Sequence, residues 1–250
     1  MQFWGQRSAA ERYSVSRPYF HPVVIGLIRE RFGKDFARVL DVACGTGLST
    51  VALLEISNEV YGTDISSEML AVASRRDGIT YVEAPAEELP FRDECFDLLT
   101  VSSGLHWFDR ERFFAEAAKV LLHEGHLIVY DNWFTGRMSG NPEYEKWLRG
   151  IYSRGCPSPP RNREPLSEKA LSRYGLVFSG RESFKNEVRY SVEELSEYLM
   201  TQSNFIAATQ NGSISEGELK KRLIGEQTPL FRSAGETFEF GGEISYSRKT

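Results

Sequence analysis

The run Arg38-Val39-Leu40-Asp41-Val42-Ala43-Cys44-Gly45-Thr46-Gly47 constrains this chain more than any other segment. A short apolar strand enters a turn carrying two glycines, and a second strand, Val60-Tyr61-Gly62-Thr63-Asp64, ends on an acid. Glycine lets a backbone turn sharply and lets a ligand approach where a Cβ would hold it off. An acid at the end of the second strand is placed to accept hydrogen bonds from both hydroxyls of a ribose. Together the two segments predict a binder of an adenosine-like ligand.

The order of elements agrees. Short apolar strands are expected at 37–42, 59–64, 79–83, 96–102 and 126–131, with helices near 47–56, 67–76 and 109–122 between them. In the third of these helices Phe113, Ala117, Val120 and Leu121 share one face. Asp109 is placed to cap its start and Gly125 to end it. An earlier amphipathic helix, Pro22 to Phe32, carries proline in its first turn. Strand–helix alternation predicts an α/β fold, a doubly wound, mostly parallel sheet with helices on both faces. Ligands in such sheets bind beyond the carboxyl ends of the strands, the edge on which Asp41, Gly45, Gly47 and Asp64 fall.

Two details argue against a dinucleotide. The pattern G-x-G-x-x-G/A needs a third small residue to pack helix on strand near a pyrophosphate, and here that position holds Thr50. Asp41 would also repel a pyrophosphate, whereas it suits a ligand with an ammonium group. S-adenosyl-L-methionine has an ammonium, a ribose and an adenine, and no phosphate.

The segment resembles motif I of class I S-adenosylmethionine-dependent methyltransferases in the form D-x-A-C-G-T-G. A second block, Ala84-Pro85-Ala86-Glu87-Glu88-Leu89-Pro90-Phe91, then Phe96-Asp97-Leu98 and His106-Trp107-Phe108-Asp109, is similar to the type 11 methyltransferase group. With the opening Tyr13-x-x-x-Arg17-Pro18 the pattern resembles trans-aconitate methyltransferase-like proteins, over roughly residues 10 to 135. The resemblance implies a seven-stranded, Rossmann-like methyltransferase fold with helical cap inserts. On it, the candidate cofactor contacts are Arg17, Asp41, Ala43, Gly45, Gly47, Asp64, Ile65, Met69, Ala86, Glu87 and Ser102. One departure stands out. The family position that often gives an aspartate to the adenine amino group holds Pro85, leaving that contact to the Ala86 N–H, the Glu87 side chain or water.

The expected organisation is a single methyltransferase domain over 1–250. It comprises an N-terminal lid at 1–33, a cofactor-binding core at 34–135, cap inserts at 136–230 with a returning strand near 181–190, and a closing strand at 231–250. The aromatic lead Trp4, Tyr13, Arg17, Tyr19 and Phe20 either covers the cofactor, with Arg17 on its carboxylate, or covers a sheet edge. Further on, a helix is expected near 165–174, a capping box at Ser191-Val192-Glu193-Glu194, and a bulge or turn at Gly241-Gly242. The arginines Arg137, Arg149, Arg154, Arg161 and Arg163 either bind an acidic small molecule or balance neighbouring acids.

His106 is the candidate catalytic base, or it merely packs beside Trp107. Tyr13, Trp107, Tyr130, Asn132 and Trp133 are the candidate acceptor-pocket residues. Asp64 and Asp41 have structural alternatives, as a helix cap and as a brace of the turn. His123 and His126 lack a third ligand nearby, His21 reads as local packing, and no metal is expected.

A net charge of -5, from 35 acids and 30 bases, gives no basic excess for a nucleic-acid partner. Three cysteines without C-x-x-C spacing suit reduced thiols. No apolar run approaches the roughly 18 residues of a membrane span, and the start Met1-Gln2-Phe3-Trp4 is no signal peptide. A cytoplasmic monomer or homodimer is expected. The leading expectation is methyl transfer to a small molecule, with carboxylic acids as one class of acceptor. Behind it stand a non-catalytic S-adenosylmethionine-binding regulatory or accessory protein and a nicotinamide-dependent oxidoreductase, the last disfavoured by Thr50 and Asp41.

Overall fold

The computed structural model describes residues 7–162 and 164–250, and the side chains of these except 7–9 and 152–154. Trp4 and Arg163, and the side chain of Arg154, lie outside the described residues. The described residues group into two compact units: residues 19–132, 161–184 and 242–250 in one, and residues 7–18, 133–160 and 185–241 in the other.

The first unit is the sheet core. Its helix α2 (His21–Phe32) has proline in its first turn and ends on Gly33, whose left-handed φ of 61° lets its N–H reach the Arg29 carbonyl at 2.8 Å. The strands β1 (Val39–Val42), β2 (Val60–Asp64), β3 (Ile79–Glu83) and β4 (Phe96–Ser102) fall within two residues of the expected bounds. Helices α3 (Leu48–Leu53), α4 (Ser67–Ala71) and α5 (Arg110–Val120) connect them or follow them, and Asp109 caps α5 by accepting from the Arg112 N–H. The full sheet has seven strands in the order β3-β2-β1-β4-β5-β7-β6, with β5 (Leu121–Met138), β6 (Leu176–Tyr190) and β7 (Glu236–Lys249) completing it. Pairings β3–β2, β2–β1, β1–β4 and β4–β5 are parallel. Strand order reverses between β1 and β4, the position at which such sheets hold ligands.

Alternation along the strands divides the core into two faces. Leu40, Val42, Leu99, Val101, Leu127 and Val129 pack with Phe113, Phe114, Ala117 and Val120 of α5. The intervening Val39, Leu98, Ile128 and Tyr130 pack with Val24, Ile25 and Ile28 of α2 and Ala52 and Leu53 of α3. Both faces of β1, β4 and the first half of β5 are therefore buried, which is why these strands read as continuous apolar runs.

Three expectations need correcting. Helix α5 stops at Val120, two residues short of the expected 122 and well before Gly125, because Leu121 already pairs with Phe96 in the sheet. Four residues, 122–125, are then absorbed as an irregularity before His126 pairs with Leu98. Gly125 serves that bulge: a Cβ there would lie 2.8 Å from the Leu122 carbonyl oxygen. Strand β5 also runs on to Met138, because its second half joins a separate core in the other unit. Lastly, Gly241-Gly242 is not a turn, since β7 continues through both. The glycines make room for rings: a Cβ on Gly241 would lie 2.8 Å from Trp133 and one on Gly242 2.1 Å from Phe184.

The second unit has its own core, in which Tyr144, Leu148 and Ile151 of α6 (Glu143–Arg154) pack with Leu195, Tyr198 and Leu199 of α8 (Val192–Met200) and with Phe238 and Phe240 of β7. The expected capping box opens α8: Ser191 Oγ accepts from the Glu194 N–H at 3.2 Å and Glu194 accepts from the Ser191 N–H at 2.8 Å. Helix α1 (Arg7–Ser16) and helices α9 (Ser203–Gln210) and α10 (Glu216–Gln227) belong to the same unit. The helix expected near 165–174 is shorter, α7 (Glu168–Leu171) followed by a 3-10 turn, in the sheet-core unit.

Gly242→Ala should therefore destabilise the protein by about 1–3 kcal/mol, the usual cost of overpacking a buried ring. Urea unfolding reads it as a lowered midpoint. An unchanged midpoint would show that Phe184 is not fixed against the strand.

Candidate functional site

The carboxyl edge of β1 is organised by one buried acid. Asp41 has no exposed surface. Its Oδ2 accepts from the hydroxyls of Ser49 (2.6 Å) and Thr50 (2.7 Å) in α3, and its Oδ1 from Thr100 (2.9 Å), its register partner on β4. Loss of water pushes the Asp41 pKa up to about 6, against the opposing pull of the three hydroxyls and with a smaller push from Asp64. The expectation that Asp41 faces an ammonium is corrected here: its carboxylate is closed off from solvent, and it braces the turn through side-chain hydroxyls. Thr50 stands where a dinucleotide site needs a small residue because its hydroxyl serves this clamp.

The clamp fixes a loop with unusual backbone. Ala43, Gly45 and Gly47 all take left-handed φ, at 57°, 56° and 78°, which for alanine is uncommon. The two glycines differ in purpose. A Cβ on Gly47 would fall 2.1 Å from the Tyr81 hydroxyl, so its missing side chain is space for Tyr81 of β3, not for a ligand. Gly45 is open: a Cβ there would meet only Met69 Cε, at 3.9 Å. The Gly45 N–H donates to Asp64 Oδ2 at 2.8 Å, and the Ser66 N–H donates to Asp64 Oδ1 at 2.9 Å. Ser66, not Asp64, is the cap of α4, accepting from the Met69 N–H. Burial raises the Asp64 pKa despite these N–H donors. Beside it Ile65 is 63% exposed, and in the loop the buried Thr46 hydroxyl has no hydrogen-bond partner among the described residues.

The other expected residues are distributed unevenly. Ala86 is buried against Leu89 and the α5 face. Glu87 accepts from the Asp109 N–H at 2.8 Å, so its carboxylate holds the start of α5. Ser102 ends β4 opposite Tyr130. Tyr130 is fully buried on the α2 face, 3.4 Å from His21 Nδ1, so it does not form an open pocket wall. Burial likewise lowers the His21 pKa to about 3, consistent with packing. His106 lies in a 3-10 turn, Leu105–Trp107, with its ring 4.9 Å from that of Trp107. Asn132, just beyond, is partly buried.

Tyr13, Arg17 and Trp133 belong to the second unit. There Arg17 donates to the Thr201 carbonyl at 3.0 Å and its guanidinium lies 4.6 Å over Tyr13 and 5.5 Å over Tyr198. Trp133 lies against Gly241. His126 packs on Phe32 (4.4 Å) and Phe36 (6.2 Å), and among the described residues no group of three or more His, Cys, Asp or Glu could hold a metal. Of the expected arginines, Arg137 pairs with Glu239 and Arg149 with Glu145. Residues the sequence reading missed are Ser49, Thr100 and Tyr81. The signal for the first was present, a hydroxyl pair at the start of the helix after the glycine turn.

Raising the folded-state pKa of Asp41 from 3.8 to about 6 means the folded protein holds a proton that the unfolded chain has already lost. Stability from that proton is complete below the unfolded value and is lost as pH rises through about 6. Urea unfolding at pH 5 and pH 7 should thus show a larger loss for wild type than for Asp41→Asn. Parallel pH dependences would remove the buried charge from the account.

Known proteins extend the picture. A family model described as a methyltransferase domain matches residues 40–129. The ubiquinone/menaquinone biosynthesis C-methyltransferase UbiE of Agrobacterium fabrum is 40% identical over 138 residues, 45% of this chain and 52% of that protein. The uncharacterized methyltransferase YcgJ of Bacillus subtilis is 28% identical over 149 residues, 57% of this chain and 55% of that one. The chain spans about half the length of the curated relatives it matches. In structure it is similar to YcgJ (TM-score 0.57, 21% identity, covering 92% of this chain and 99% of that one). It is also similar to the geranyl diphosphate C-methyltransferase of Streptomyces coelicolor (TM-score 0.51, 12% identity, 92% and 77%). At those identities the likeness is one of fold. With the matched core and the glycine loop coinciding, the conclusion is direct: residues 40–129 carry a class I S-adenosylmethionine-dependent methyltransferase domain.

Proposed function

We propose that the protein transfers the methyl group of S-adenosyl-L-methionine to a small-molecule acceptor. The observation that carries the reading is the open face of Gly45 beside the Asp64 carboxylate, whose Oδ2 accepts the Gly45 N–H and whose Oδ1 accepts the Ser66 N–H. A carboxylate has about four acceptor positions, so Asp64 retains capacity to accept from a ribose hydroxyl. Ile65 offers an exposed apolar side chain next to it for an adenine, and the buried Thr46 hydroxyl supplies a further polar group. Two acids at the loop, Asp41 and Asp64, disfavour a pyrophosphate there.

When bound, S-adenosylmethionine brings a methyl group already activated on a sulfonium. The chain's own task is to hold the nucleoside, align the acceptor and exclude water, and such orientation is worth up to roughly 7–11 kcal/mol of a barrier. Asp64 and Gly45 do the holding. Asp41 acts at one remove as a positioning residue, keeping the loop in its left-handed shape. The charge balance, 30 bases to 35 acids, gives no basic excess for a nucleic-acid acceptor. Among the described residues no helix is long and apolar enough to cross a membrane. Within small molecules, the resemblance of roughly residues 10 to 135 to trans-aconitate methyltransferase-like proteins favours carboxylic acids, while the charges near the end of β5 favour another class.

Calorimetry should find S-adenosylhomocysteine bound and NADH not bound. Asp64→Ala should weaken S-adenosylhomocysteine by about tenfold or more, as for a lost charge-assisted hydrogen bond. Binding of NADH without S-adenosylhomocysteine, or an Asp64→Ala variant of full affinity, would contradict the reading. Turnover with a panel of acids, phenols and amines distinguishes the enzyme from a non-catalytic binder.

A further inference from the structure

Asp131 follows Tyr130 on β5, one residue beyond the last β4–β5 register pair, Ser102 and Tyr130. Next to it Ser103 donates its N–H to the Tyr130 carbonyl at 2.8 Å, and the Ser103 side chain hydrogen-bonds the Asp131 carboxylate. Gly104 comes so close to the glycine loop that a Cβ on it would lie 3.0 Å from Ala43 Cβ. Asp131 therefore stands on the same sheet edge as the loop.

The charged groups that act electrostatically on Asp131 come from three elements: Glu243 of β7, Arg110 of α5 and Arg161 of the segment before α7. Loss of water, and then Glu243, push the Asp131 pKa above the usual carboxylate range, while Arg110 and Arg161 pull it down. Arg110 donates to the carbonyls of Glu164 (2.6 Å) and Asn162 (3.1 Å), which anchors the segment carrying Arg161. Arg161 in turn holds its guanidinium 5.1 Å over the ring of Trp107, which is 39% exposed. Glu243 is held by Arg181 at 3.1 Å. A part-buried acid, a cation and a partly exposed indole thus belong to the segments that surround the ends of β4 and β5, beside the glycine loop.

We propose that Asp131 is the proton acceptor of the methyl transfer, and that the methyl acceptor is a planar, weakly acidic hydroxyl compound, a phenol or an enol, seated among Trp107, Arg161 and Asp131. The inference rests on the methyltransferase reading above. A carboxylate acceptor has no proton to lose at neutral pH and would meet two carboxylates, Asp131 and Glu243. A neutral hydroxyl offers its proton to Asp131, its developing negative charge to Arg161 and its ring to Trp107. As the acceptor oxygen bonds to the methyl carbon, the carbon–sulfur bond breaks and its electron pair stays on sulfur. The hydroxyl proton passes to an Asp131 oxygen. The products are a methyl ether, a neutral thioether and protonated Asp131, which then releases its proton to water.

The test uses the full chain saturated with S-adenosylhomocysteine, phenol and benzoate as probes, and Asp131→Asn as the variant. Calorimetry should find S-adenosylhomocysteine bound equally by both proteins, which also establishes that the variant folds. Phenol should bind the wild-type complex about tenfold or more tighter than benzoate, as for one hydrogen bond to a charged group. Asp131→Asn should abolish that preference. The affinity for phenol should fall as pH is lowered and Asp131 takes up a proton, and should stay flat in the variant. Preference of wild type for benzoate, a preference unchanged by Asp131→Asn, or failure of phenol to bind would overturn the inference. Failure of S-adenosylhomocysteine itself to bind would overturn the methyltransferase reading, and this inference with it.

Discussion

Three hydroxyls on one buried carboxylate hold this sheet edge together. Asp41 takes donors from Ser49 and Thr50 of α3 and from Thr100 of β4, so it ties the strand before the glycine loop to the helix after it and to the neighbouring strand. A buried carboxylate is costly unless its oxygens are satisfied, and here the donors are arranged around it. The left-handed backbone at Ala43, Gly45 and Gly47 is a consequence of this closure, because the chain must leave β1 and enter α3 within five residues.

What the clamp secures is the relation between Gly45 and Asp64. One N–H of the loop ends on the acid of β2, and the next element begins by donating to the same acid from Ser66. The loop, β2 and the start of α4 therefore share a single carboxylate. Tyr81 closes the far side by occupying the space that Gly47 and Gly62 leave open. The result is a cradle with one open wall, at Gly45, and one exposed apolar side chain, at Ile65.

Much of the sheet core was legible from sequence because its strands are buried on both faces and therefore read as short apolar runs. β3 and β4 have the expected bounds, and the capping box at Ser191 is present as read. The errors have physical causes. A glycine after an amphipathic stretch looks like a helix end, yet at Gly125 it fits a crowded bulge inside β5. Gly241 and Gly242 look like turn formers but lie within a strand, and only Trp133 and Phe184, distant in sequence, explain them. Asp41 and Asp64 look alike as strand-end acids. Burial alone separates the brace from the acid near the open wall, and no single sequence encodes burial visibly. The same limit hid Asp131, which differs from a surface acid only in the company it keeps.

A structure of the protein soaked or grown with S-adenosylhomocysteine tests the account most directly. It should show the ribose hydroxyls on Asp64, the adenine against Ile65, the chain of the ligand passing the open face of Gly45, and Asp41 still clamped by Ser49, Thr50 and Thr100. A ligand that leaves Asp64 without a nucleoside contact, or an Asp41 turned out of its clamp to meet the ligand, would contradict it.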